Sequence, residues 1–400
     1  MKRYTYEAKD TSTGKKIKSV VQAESEQAAA NVLLKQGFAP LSITEEGSSD
    51  SFFARLSNRI TVKDRIVFSR QLATLIGAGL PLAQSMRTIA EQTDNKRFRI
   101  VIEEILSDIE SGKALSESFA KHPDQFDKVF LSLIKAGEAS GTLDDALKRI
   151  ADQQEKDAAM MGKIKGALTY PIIVLVVIFG VMGFMMFTVV PQVEKLYDDL
   201  GKELPLLTSL MVGGANFLAS FWWLVLLIAG GAIYFLGQYL RTEDGIKAID
   251  TFKLNVPLFG GMFRKLYMAR FTRTAQTLLN TGVPMLDMLK ITSDAVNNVI
   301  IGKSITNASE KVKGGKALSE SIAAEDYILK LVPQMIKIGE QSGKIDEMLG
   351  RAAQVYEDEL DEQIKSISTA IEPILMVVLA VMAGGMVGAI LFPIYSLVNG

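Results

Sequence analysis

The 400-residue chain has no cysteine and a single histidine, His122. Without thiols there is no disulfide, no thiolate zinc site and no cysteine nucleophile. His122 stands alone beside Pro123 in a loop, which reads as a solvated side chain rather than a catalytic one. An excess of either charge is missing too: 44 Lys and Arg face 45 Asp and Glu, a net charge of −1. That leaves no basic face for nucleic acid. Lys313, Gly314, Gly315 and Lys316 lack the spaced Gly-Lys-Ser/Thr of a nucleotide cradle, and Ser111, Gly112 and Lys113 at the matching place read as a helix terminator. Residues 1–10 are polar and charged, unlike a cleavable signal peptide.

Three stretches lack charge altogether. They are residues 166–193, residues 204–240 with an apolar heart at 217–236 that holds Trp222 and Trp223, and everything after Glu372. Each is long enough to cross a hydrocarbon layer of roughly 30 Å. None carries Asp, Glu, Lys, Arg or His, so the intramembrane titratable groups that ion and proton pumps need are absent. Glycines are present instead: Gly180 and Gly183, Gly230 and Gly231, then Gly384, Gly385 and Gly388. They suit close packing against another helix, or simply face lipid.

What the chain does have is a duplication. Gly-Lys-Ala-Leu-Ser-Glu-Ser occurs at residues 112–118 and again at 315–321, an offset of 203. Phe68, Arg70, Gly79 and Pro81 recur at the same offset as Phe271, Arg273, Gly282 and Pro284. One residue is then lost. Lys135, Gly137, Glu138, Ser140 and Gly141 recur as Lys337, Gly339, Glu340, Ser342 and Gly343, and Pro171 and Pro191 as Pro373 and Pro393. A period this long exceeds solenoid units of about 20 to 50 residues, so a whole domain with its membrane helix is copied.

Two domains that each feed an outward helix need a return between them, which the middle span supplies. Lys148, Arg149, Lys156, Lys163 and Lys165 precede the first span, and Arg241, Lys247, Lys253, Arg264, Lys265 and Arg270 follow the second. The positive-inside rule then places both domains and the amino terminus in the cytoplasm and the carboxyl terminus outside.

Along the chain, Tyr4 and Tyr6 alternate on a first strand, residues 16–22 are extended again, Ser25 caps a helix over 26–36, and residues 40–44 offer a third strand. Phe52, Phe53 and Leu56 sit on a short basic helix that docks on the domain or lies on the membrane. Thr61 with Asp64 three residues on is a capping signature. From there each copy reads as six helices, the sixth starting after Gly141 and Thr142 and running unbroken into the membrane, kinked at Pro171. The resulting fold class is mainly α. Residues 1–46 form a small α+β module and 47–60 a linker with a short amphipathic helix. Cytoplasmic six-helix bundles occupy 61–169 and 241–371, spans occupy 170–191, 216–240 and 372–398, and 192–215 form a short extracytoplasmic loop.

Carboxylates crowd the sixth helices, at Asp144, Asp145, Asp152, Glu155 and Asp157 and at Asp346, Glu347, Glu357, Asp358, Glu359, Asp361 and Glu362. Paired carboxylates can do acid–base work or hold calcium or magnesium; a solvated helix face is the plainer reading. Glu138 and Glu340 recur in one setting, Lys-x-Gly-Glu-x-Ser-Gly, where they serve either a helix terminus capped by Gly141 or Gly343 or a partner.

Gly79-Leu-Pro-Leu with Gly282-Val-Pro-Met, the two heptapeptides, and Gly137-Glu-Ala-Ser-Gly-Thr-Leu with Gly339-Glu-Gln-Ser-Gly-Lys-Ile resemble the type II secretion system F family. Tyr4-Thr-Tyr-Glu-Ala and Phe392-Pro-Ile-Tyr extend the resemblance over essentially the whole chain. Gly282-Val-Pro-Met is a relaxed motif, and Asn280 replaces the small Gly77. The resemblance implies a non-enzymatic inner-membrane platform without cofactors or metal. Its implied partners are a hexameric assembly ATPase, pilin or pseudopilin subunits, other inner-membrane assembly proteins, the lipid bilayer and further copies of itself. Pilus and secretion platforms both fit. Candidate motif or partner-interface positions are Gly79, Pro81, Glu138, Gly141 and Pro171, with Gly282, Pro284, Glu340, Gly343 and Pro373 in the second copy. Outside the family, a transporter is opposed by the uncharged spans, a receptor by the short outer loop, and a membrane enzyme by the poverty of catalytic groups.

Overall fold

A computed structural model of the chain describes residues 2–10, 16–23, 28, 30, 32–33, 38–45, 59–199, 209, 212–214, 216–217 and 220–399. Residues 47–58 of the linker and short helix expected over 47–60 lie outside the described residues, as do most of the helix expected over 26–36 and the middle of the loop expected over 192–215. The chain folds as two compact units: Met1–Arg65 with Met86–Ser107, and Ile66–Ser85 with Asp108–Gly400.

In the first unit, β1 (Lys2–Asp10), β2 (Lys16–Ala23) and β3 (Phe38–Glu45) form an antiparallel sheet in the order β2-β1-β3. Against β3 the register jumps from Glu7↔Ser42 to Ala8↔Pro40, leaving Leu41 as a bulge. Pro40 has no N–H to give a ladder, and an edge strand beside a bulge is where that loss is tolerated. Helix α1 (Val62–Gly77) opens in this unit with the capping exchange its sequence announces: Asp64 N–H donates to Thr61 Oγ1 at 3.2 Å, and Thr61 N–H to Asp64 Oδ2 at 2.8 Å. Helix α2 spans Leu82–Gln92 and α3 Lys96–Glu110. Asn95 caps α3 by accepting from Arg97 and Phe98 N–H, while its amide donates to Arg59 O and Asp64 Oδ2. Val62–Arg65 of α1, Met86–Gln92 of α2 and α3 as far as Ser107 belong to this unit.

The second unit holds α4 (Leu115–Ala120), α5 (Lys128–Ser140), α6 (Leu143–Thr188), α7 (Val190–Asp199), α8 (Trp222–Tyr239) and α9 (Glu243–Asn255). There follow α10 (Gly260–Asn280), α11 (Met285–Ala295), α12 (Val299–Lys313), α13 (Leu318–Ala323), α14 (Leu331–Ser342) and α15 (Ile345–Asn399). In order α10–α15 repeat α1–α6, and α11, α12 and α13 match α2, α3 and α4 in length. The copies fill their cores differently. Phe68, Phe119, Phe126 and Phe130 make an aromatic cluster with ring centroids 4.5 to 6.1 Å apart, whereas the equivalents of the last three, Ile322, Ile328 and Val332, are buried aliphatics. Ile and Val are smaller than Phe, so at these three positions the second core is packed with smaller side chains.

Helix α6 has 46 residues and α15 has 55, and both run without interruption through a proline, Pro171 and Pro373. At about 1.5 Å per residue, roughly 35 Å of α6 and roughly 42 Å of α15 precede the uncharged stretch. Among the described residues three helices, α6, α8 and α15, are long and apolar enough to cross a membrane. Their side chains face outward: Val176, Phe184, Ile233, Phe235 and Val381 are all exposed, an arrangement stable only in hydrocarbon. Two elements depart from the sequence reading. The residues expected to open the outer loop continue as α7 to Asp199. Ahead of the second copy stands an unanticipated α9, capped by Thr242 accepting from Gly245 N–H.

Candidate functional site: paired motifs and the seam between copies

The two repeated strings turn out to be bonded to each other. Glu138 on α5 accepts the N–H of Leu115 at 2.7 Å, the N–H of Ser116 at 3.2 Å and the Ser116 hydroxyl at 2.7 Å. Its carboxylate thus caps α4, whose Ala114 offers no capping side chain. Glu340 does the same for α13, accepting from Leu318 N–H at 2.7 Å, Ser319 N–H at 3.2 Å and Ser319 Oγ at 2.5 Å. Partial burial pushes the Glu138 carboxyl up, but the Ser116 hydroxyl and the two backbone donors outweigh it and hold the group below its ordinary value.

The glycines around these carboxylates have separate tasks. Gly141 and Gly343 end α5 and α14 in the left-handed region, each at φ 73°, as the capping pattern predicts. Gly137 and Gly339 instead permit a close crossing: a Cβ on Gly137 would lie 2.6 Å from the Ala146 Cβ, and one on Gly339 2.6 Å from the Ile345 Cα. Gly79 and Gly282 turn the chain at φ 84° and 79°. Pro81 and Pro284 stand just before the first helical residue rather than at it, and their carbonyls accept from Ser85 and Met288.

A repeated clamp that sequence reasoning passed over fixes the long helices. Arg70 on α1 grips Glu155 on α6 with both arms of its guanidinium, at 2.7 and 2.6 Å, and reaches Asp152 at 2.6 Å. Arg273 on α10 grips Glu357 on α15 in the same way, at 2.8 and 2.9 Å. Glu357 is therefore no member of a solvated carboxylate face, whereas Glu155 is paired and still largely exposed. The signal was available, because Arg70 and Arg273 recur at 203 residues and Glu155 and Glu357 at 202. Among the described residues no group of three or more His, Asp or Glu is arranged to hold a metal ion.

The first copy meets the second along α6. Gln153 donates to Thr274 Oγ1 at 3.3 Å, Lys163 pairs with Asp361 at 2.5 Å, and Lys128 on α5 pairs with Asp294 on α11 at 2.6 Å. Asp157 faces Arg270 at 3.9 Å, too far for a hydrogen bond, and its sealed Oδ1 has no partner. Burial, opposed by Arg270 and reinforced by Asp127 and Glu357, pushes the Asp157 carboxyl up to about 6. The side chain as a whole keeps 36% exposure, so the cost of charging it is softened by water. A cavity of about 60 Å³ lies here, lined by Asp127, Phe130, Gln153, Asp157 and Thr274.

The sequence matches the family described as Type II secretion system (T2SS), protein F, over residues 68–191 and again over 271–393. The chain belongs to that family. Residues 1–44 match the N-terminal domain of type II secretion system protein F, and the two longer matches coincide with the duplication. Among curated F-family relatives, the type IV pilus assembly protein PilC of Thermus thermophilus is 36% identical over 400 residues, covering 99% of this chain and 98% of its own. PilC of Pseudomonas aeruginosa is 36% identical over 369 residues, 92% of this chain and 98% of its own. The type II secretion system protein F of Xanthomonas campestris is 33% identical over 404 residues, 100% and 99%. The F-family chain is thus a multi-pass membrane protein with two homologous helical domains.

Proposed function

We propose that this chain is the inner-membrane platform of a type IV pilus assembly machine, coupling a cytoplasmic assembly ATPase to pilin subunits in the membrane. It does no chemistry of its own and needs no cofactor. In this reading residues 61–169 and 241–371 lie in the cytoplasm with the amino terminus, and the short carboxyl end lies outside; the lysines and arginines beside the first two spans support that orientation. The observation that carries the proposal is mechanical. Helices α6 and α15 run unbroken from soluble bundle to spanning segment, and each is held at its bundle end by a bidentate arginine. A helix clamped this way passes displacement or rotation along its axis, because its backbone hydrogen bonds are all internal. The repeated motifs Gly79-Pro81, Glu138-Gly141 and their counterparts act as the scaffold of each bundle, and Pro171 and Pro373 mark where the helices meet the bilayer.

The similarly complete match to type II secretion protein F relatives supports a second reading, the equivalent platform of a secretion or competence pseudopilus. Electron microscopy of cells lacking the gene, with a comparison of proteins released into the medium, separates them. Filaments lost while pilin stays in the membrane support the pilus reading. Filaments intact with specific proteins missing from the medium support the secretion reading, and no change in either overturns both.

A further inference from the structure

Helix α9 lies outside the two segments that match the family, so the repeated bundle does not explain it. Only Leu240, Arg241 and Thr242 separate it from Tyr239, the last residue of the spanning α8. Over its 18 residues α8 rises about 27 Å, close to the roughly 30 Å of the hydrocarbon layer. Trp222 and Trp223 open it and Tyr239 closes it, aromatic residues of the kind that favour the two membrane–water boundaries. Glu243 therefore starts α9 within about 14 Å of that boundary, four chain steps of at most about 3.6 Å each. The corner is tight. A Cβ on Gly245 would collide with the Tyr239 carbonyl oxygen, so α9 leaves the axis of α8 at once.

The two faces of α9 are unlike those of a soluble surface helix, whose apolar stripe turns to the core and whose polar residues turn out. The side packed on the bundle carries buried Leu254 together with buried Asp250. Asp250 accepts the N–H of Val299, at the start of α12, at 2.9 Å and Lys253 Nζ at 3.0 Å. Arg264 on α10 donates to the Leu254 carbonyl at 3.1 Å. Polar bonds thus hold the helix to the bundle at its middle and its end. Opposite them, at helical spacing, come Ala248, Ile249 and Phe252, with Leu258 just past the helix end. Phe252 is 67% exposed and Leu258 46%. Leu258 is held outward at φ 72°, a conformation rare for a bulky side chain. Lys247 and Lys253 stand on the two flanks of this stripe.

We propose that the outer face of α9 lies in the membrane–water boundary, with Phe252 and Leu258 among the lipid headgroups and upper acyl chains and with Lys247 and Lys253 reaching back to lipid phosphate and water. Continuity names the occupant. The spanning α8 delivers the first turn of α9 to the bilayer edge, so lipid is the apolar phase nearest to the stripe. The charges of α9 agree: the stripe itself carries none, and Glu243 and Asp244 stand in the first turn, where the positive end of the helix favours them. Through Asp250 and Arg264 the helix then sets the height of the second helical domain against the bilayer. This inference rests on the chain being a membrane protein and is independent of whether the machine builds a pilus or a secretion pseudopilus.

The absence of native cysteine allows single labels. Full-length Phe252→Cys, Ala248→Cys and Lys344→Cys proteins are spin-labelled and reconstituted in vesicles of phosphatidylethanolamine and phosphatidylglycerol. Lys344 precedes α15, roughly 42 Å of helix from its uncharged stretch, and its label reports water. Collisions with oxygen, which concentrates in lipid, are compared with collisions with a water-soluble nickel chelate. The oxygen-to-nickel ratio at 252 and 248 is expected to exceed that at 344 several-fold. A ratio equal to that at 344 would put the face in water, and few collisions with either reagent would mean that protein covers it; both results overturn the proposal. Should Phe252→Cys fail to fold, Ala248→Cys carries the test alone, because it alters only a small exposed side chain.

Discussion

The carboxylate of Glu138 accepts the backbone N–H of Leu115 at 2.7 Å, and 202 residues on Glu340 accepts that of Leu318 at the same distance. Two motifs that look independent in the sequence are thus halves of one device, in which a helix without a capping residue of its own is capped from its neighbour. Glu138→Ala is expected to lower stability by about 1–2 kcal/mol, the usual size of a lost cap or charge-assisted bond, and Glu138→Gln by less. Thermal unfolding of the detergent-solubilised protein reads both, and an unchanged midpoint would show the cap to be idle.

The same carboxyl sets an acid limit. Its folded value lies below the ordinary one, so its contribution is complete above the unfolded value and fades as pH falls through the folded one. Melting points recorded on descending from pH 6 are expected to drop less steeply in Glu138→Gln than in the parent. Parallel curves would contradict this.

Asp157 has the opposite sign. Its folded value of about 6 exceeds the unfolded one, so its protonated form is favoured by the fold and stability attributable to it is lost as pH rises toward 6. Asp157→Asn is expected to be at least as stable as the parent at pH 7.5 and to flatten the pH dependence between about 4 and 6. A clear loss of stability at pH 7.5 would mean that the ionised Asp157 is needed by Arg270.

The two arginine clamps differ in burial, which decides their worth. Arg273 and Glu357 have side chains only 13% and 15% exposed, whereas Arg70 and Glu155 keep 36% and 44%. Removing Arg273 strands a mostly buried carboxylate, at a cost of about 3 kcal/mol; removing Arg70 costs about 1 kcal/mol or less. Paired melts of Arg273→Ala and Arg70→Ala check the order, and equal losses would refute it.

Much of this architecture was legible because it rests on local chemistry. Thr61 and Asp64 form the capping exchange their spacing announces, and Gly141 and Gly343 take the left-handed positions. The duplication supplied its own check, since each helix boundary was read twice. The reading thinned outside the copied segments, where α9 escaped notice, and at their end, where α7 did. Clustered acidic residues on a helix usually are solvated, and what pairs Glu155 and Glu357, and takes Glu357 out of water, is an arginine about 85 residues away. The seam along α6 was not legible at all. It depends on how two copies of one fold are set against each other, which periodicity within either copy does not encode.

In the proposed function α6 transmits motion from bundle to membrane as one rigid helix. Lys163 holds the last seam contact before the span, and Pro171 lies inside the span's beginning, so two glycines inserted after Lys165 interrupt the rod without touching the clamp or the seam. That variant is expected to insert, accumulate and bind the assembly ATPase but to support no filament growth, counted by electron microscopy of complemented deletion cells. Filaments of normal number and length from that variant would contradict it.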